Sequence, residues 1–195
     1  MLDDYEGLYD NDGWLKLSGN YGKKIKNYQA NGLEIWYTGE IMTEIRTRPS
    51  EISSMFLGRV TNDFQEFIEL EEFDNQEFIT NDGGLSISLD RFSAIVRQWE
   101  VFLQRNPKSA LKKEAKELFS IYQRGYLIGL DNTPVAEYSD GMIYSENKEN
   151  FKRYLDYYPN SPTSKLIKLL FELEGDYEVM GEEMDKAQRK SLQKL

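Results

Sequence analysis

Eight acids, Asp63, Glu66, Glu69, Glu71, Glu72, Asp74, Glu77 and Asp82, lie between Val60 and Asp90 with no Lys or Arg among them. Carboxylates at this density can form a solvated face, dock a basic protein, hold a cation, or supply an acid–base pair. Glu66 and Glu69 could in principle be the two carboxyls of a glycosidase, but in so acidic a stretch such pairs arise by chance. The first seven are therefore read as a surface for a basic protein partner, with no catalytic residue, metal site or cofactor expected.

The chain has no histidine and no cysteine. Disulfides, thiolate zinc sites, Cys or Ser/His nucleophiles and imidazole acid–base steps are excluded by composition. Asp10-Asn11-Asp12-Gly13 has the look of a calcium loop. An EF-hand with Gly13 at its turn would need an acid at Leu8 and a bidentate Glu at Gly19, and neither is present. A carboxylate-dependent enzyme stays open, but the chain reads as a non-enzyme.

The net charge of −10 is uneven: residues 1–88 hold seventeen acidic and seven basic side chains, residues 89–195 seventeen of each. Such a field repels phosphate backbones and favours basic partners, so no nucleic acid is expected. No run approaches the roughly 20 apolar residues of a membrane span. The first ten residues, MLDDYEGLYD, show neither the basic nor the apolar part of a signal peptide.

Of the 195 residues 39% are hydrophobic, enough for a sizeable core. The expected fold is α+β, with an acidic strand- and loop-rich region over 1–88 and helical hairpins over 89–195 packed as one unit. Residues 1–32 read as loop around a short strand at 14–17. Alternation from Leu33 to Arg48 predicts two strands bent at Gly39, with 54–60 as a further partner. Residues 61–80 read equally as a helix capped by Thr61 or as a strand. A turn at 81–84 and a strand at 85–89 follow.

From Ser88 the period becomes helical. Phe92, Ile95, Val96, Trp99, Phe102 and Leu103 form one stripe, ended by Asn106-Pro107. A second helix from Ser109 carries Ala115, Leu118 and Phe119. The pattern recurs 52 residues later: Trp99, Phe102, Leu103, Pro107 and Ser109 align with Phe151, Tyr154, Leu155, Pro159 and Ser161. Each copy predicts a helix, a proline corner and a second helix begun by serine, and the two hairpins are expected to pack through their aromatics. Pro162 suits a first helical turn. A closing helix follows Gly175, and its tail from Lys186 to Lys194 is the one locally cationic stretch.

The string from Tyr154 to Pro162, YLDYYPNSP, resembles the tetratricopeptide-like helical hairpins of bacterial envelope proteins, where such a corner joins two helices. The resemblance covers about residues 90–130 and 145–174, with Asn106 in place of the corner aromatic and a period longer than the usual 34 residues. It implies a protein-interaction or scaffold module, of the exported or envelope-lipoprotein kind with its signal outside this sequence. The alternative is a small acidic cytoplasmic inhibitor of the immunity type, covering a basic active site.

Overall fold

The computed structural model describes residues 19–39, 42–76 and 78–195. They form an α+β fold of helices with small antiparallel strand pairs, in two compact units dividing between Arg59 and Val60. The sequence reading instead places a boundary after Ser88. Residues 60–88 lie with the helical unit because Phe67, Leu70 and Phe73 pack into its core.

The first unit holds α1 (Gly19–Ala30), β1 (Leu33–Gly39), β2 (Met42–Thr47) and α2 (Pro49–Phe56). The two expected strands are present and antiparallel, with Glu34 opposite Arg46. On that face Arg46 Nε donates to Glu34 Oε1 at 2.5 Å and the guanidinium lies 3.4 Å from the Trp36 ring centroid. The expected loop over 19–32 is mostly helix, as Lys-Lys-Ile-Lys favours helix and Ile25 is buried. Residues 54–60 do not pair as a strand. Pro49 starts α2, and Ile52, Met55 and Phe56 follow a helical spacing. The reading of 1–18, including the strand at 14–17 and the calcium loop, lies outside the described residues.

The second unit begins with α3 (Asn62–Asp74), which settles 61–80 largely as helix. A tight hairpin follows, β3 (Thr80–Asn81) and β4 (Gly84–Leu85), turned by Asp82 and Gly83 with φ of +47° and +67°. The expected strand to residue 89 stops at Leu85, because Ser88 accepts a hydrogen bond from Arg91 N and caps α4 (Leu89–Arg105). After the corner at Pro107 comes α5 (Lys112–Ile128), then β5 (Gly129–Leu130) and β6 (Thr133–Pro134). The second copy is α6 (Ser145–Tyr157), the corner at Pro159, and α7 (Pro162–Glu172); α8 (Tyr177–Leu192) closes the chain.

The first helices of the copies, α4 and α6, pack together, as do the second helices, α5 and α7, while α8 lies on α5 and α7. Trp99 and Phe151 are both fully buried, yet their rings do not meet. Each packs on the preceding helix: Trp99 edge-on to Phe67 of α3 at 5.2 Å, Phe151 edge-on to Tyr126 of α5 at 5.1 Å. Thus α3 serves the first hairpin as α5 serves the second. The paired serines differ as well. Ser161 caps α7 by accepting from Ser164 N, whereas Ser109 lies ahead of α5 and accepts from Leu111 N.

The connector between the copies is tied at both ends to remote chain. Asn132 N donates to Gly83 O, and Leu85 N to Thr133 Oγ1, so the hairpin turned at residues 131–132 docks on the one before α4. At the other end Ile143 N donates to Glu174 Oε1 and Gly175 N to Gly141 O. The connector spans the unit as a strap.

Candidate functional site

The acidic stretch is not one face. Ser109 and Thr61 hydroxyls each donate to Asp63 at 2.5 Å and hold its carboxyl below the usual range, the Ser109 bond contributing most. Asn106 Nδ2 donates to Glu66 Oε2 at 2.9 Å, with Arg105 beyond at 3.9 Å. These two acids fasten α3 to the proline corner of the first hairpin. Asp74 is buried, accepting from Trp99 Nε1 at 2.6 Å. Glu69 and Glu71 are exposed and Glu72 is half-buried; Glu71 lies close enough to the protein for desolvation to raise its pKa. Glu77 lies outside the described residues. Nothing in the spacing of the acids distinguishes those bound inside the fold from those facing out.

The sequence reading missed a polar cluster below the second corner. Glu100 is fully buried on α4. Its Oε2 accepts from Thr163 N at 3.0 Å and Thr163 Oγ1 at 2.5 Å, and Arg97 donates to Oε1. A carboxylate there faces the positive end of α7, which offsets part of the cost of burying charge. Gln123 Nε2 donates to Thr163 Oγ1 at 2.8 Å, and Gln188 Nε2 reaches Gln123 Oε1 at 3.2 Å and Ser120 O at 2.9 Å. Four helices are thereby registered against one another. The sequence signal was an acid inside an apolar stripe, since Glu100 stands four residues after Val96 and three before Leu103.

Above this cluster α4 and α6 bound a groove of about 410 Å³. Asp90, Ser93 and Ala94 line one wall; Asn150, Arg153 and Tyr157 line the other, with Tyr154 and Tyr158 at the corner end. Asp90 Oδ1 accepts from Asn150 Nδ2 at 2.7 Å and from Arg153 Nη2 at 2.6 Å, fixing the wall. Tyr157 is 75% exposed and Tyr158 37%, with the Arg97 guanidinium 4.8 Å from the Tyr158 ring. Exposed aromatic rings beside fixed polar groups suit the capture of a polypeptide segment.

Among the described residues no three carboxylates converge to hold a metal ion, and no helix is long and apolar enough to cross a membrane. Comparison with known proteins finds no family model, no curated protein and no solved structure that the chain matches.

Proposed function

We propose that the second unit is a non-enzymatic protein-interaction module built from tetratricopeptide-like hairpins, and that the groove between α4 and α6 receives a segment of its partner. The observation that carries this reading is the stacking of first helix on first helix, which leaves Tyr157 and Tyr158 exposed along a groove with a fixed polar wall. The partner is basic overall, drawn by the net charge of −10 and by the exposed acids Glu69 and Glu71. Charge of this kind mainly raises the association rate. The inhibitor reading rests on the same charge, but Asp63, Glu66 and Asp74 are engaged within the fold and leave less acidic surface for it.

The test is affinity capture from the native host at two salt concentrations, with mass spectrometry of what is retained. A partner held by wild type should be lost by Tyr157→Ala, at unchanged melting temperature. Glu69→Gln/Glu71→Gln should slow its association in low salt. Equal retention by the tyrosine variant would remove the groove from the binding surface.

A further inference from the structure

We propose that the cleft between α7 and α8 binds an acidic segment of a second protein, one apolar side chain in the cleft and carboxylates on its rim. The cleft, about 280 Å³, is floored by Pro162, Leu166 and Ala187 and edged by Lys165, Lys190 and Lys194. Its α8 side is residues 187, 190 and 191 of the helix with Lys194 and Leu195 just beyond its end; its α7 side is residues 162, 165 and 166. Leu166 is 5% exposed, so the floor belongs to the folded core.

Charge identifies the occupant. Residues 162–171 and 186–195 contain six basic side chains and no acid, on a chain whose net charge is −10. Lys165, Lys190 and Lys194 form no ion pair among the described residues, whereas Lys186 is paired to Glu182 and Glu183 of its own helix. Glu100, behind α7, is buried and already bound by Arg97 and Thr163. Among the described residues the three lysines thus have no ion-pair partner, and the apolar floor gives them something to frame.

Shape separates a protein segment from other anions. The volume falls just below the range of small-molecule pockets, about 300–1,000 Å³, which suits one bulky side chain. A membrane would present a flat anionic surface, and Glu182 and Glu183 on the same helix would face it unfavourably. Nucleic acid would need a longer track of phosphate contacts than three lysines around one cleft provide. This inference is independent of the α4–α6 groove.

The probe is a fluorescein-labelled peptide, Asp-Glu-Glu-Phe-Asp-Glu, titrated with the full chain and read by fluorescence anisotropy. Binding is expected in dilute buffer, weakened at least tenfold near 1 M salt, where the Debye length falls to about 3 Å. Lys190→Ala/Lys194→Ala should weaken it about tenfold, as should Phe to Ser in the peptide, while Tyr157→Ala leaves it unchanged. Both protein variants alter exposed side chains, and unchanged melting curves will establish their folding. No binding, or binding indifferent to the lysine variant, overturns the proposal. So does indifference to the Phe replacement, which would make the patch a plain ion exchanger. Co-sedimentation with phosphatidylserine vesicles that the peptide cannot displace would assign the cleft to a lipid surface instead.

Discussion

Asp74 occupies a place where a carboxylate is costly to keep charged. Its Oδ1 is sealed from solvent without a hydrogen-bond partner, and desolvation raises its pKa from 3.8 to about 6 against the opposing pull of Trp99, Tyr122 and Arg91. The folded state therefore holds this proton more tightly than the unfolded chain. Stability from this group is present at acid pH and lost as pH climbs from about 4 to about 6, on the order of 2–3 kcal/mol in all. Asp74→Asn keeps an acceptor for Trp99 without the charge. It should be more stable than wild type in urea at pH 7.5, with the advantage gone by pH 4. Trp99→Ala removes both that bond and a fully buried ring, and should cost about 3–5 kcal/mol in the same denaturation. The sequence revealed Trp99 as core through its helical stripe. It could not reveal Asp74, whose partner lies 25 residues away and whose neighbours Glu71 and Glu72 look identical to it.

At the scale of elements, α4 to α8 were legible because each keeps apolar side chains at helical spacing, and α4 to α7 are each followed closely by Pro or Gly. The same rule explains the failures. In α2 the stripe is only Ile52, Met55 and Phe56 in an eight-residue helix with no buried residue, too short to outweigh a strand reading. The pairs β3–β4 and β5–β6 have two residues per strand, too few for alternation to register. The groove was invisible for a different reason: it exists only once α4 and α6 stack, and its walls come from residues about 60 apart, such as Asp90 and Arg153. The Asp140-Gly141 pair signals a turn in the sequence, but not that Gly141 is a junction. Its φ is +67°, and a Cβ there would lie 2.5 Å from Asp176 N and 2.6 Å from Tyr177 N, at the start of α8. Backbone cannot yield as a side-chain tip can. Gly141→Ala should lower the melting temperature by several degrees and reduce protection of the α8 amides in hydrogen exchange.

For the molecule as a whole, the strap from Gly129 to Tyr144 decides how the second unit comes apart. Stacked helical hairpins ordinarily behave as a row of neighbours, each contacting only the next, able to fray from either end. Here one contact joins residues 48 apart, Leu85 to Thr133, and another joins residues 31 apart, Ile143 to Glu174. Releasing α8 loosens Glu174, hence the connector, hence the hairpin that precedes α4. Residues 60–195 should lose structure in a single urea transition, with near-ultraviolet and far-ultraviolet signals coincident and Thr133→Ala shifting both together. The cost is speed: the strap closes long loops before its contacts reward the chain, so refolding should be slower than for hairpins joined by short turns. A repeat unit of 52 residues in place of the shorter kind thus exchanges extendability for cooperativity. Another copy could not be inserted between α5 and α6 without cutting the strap.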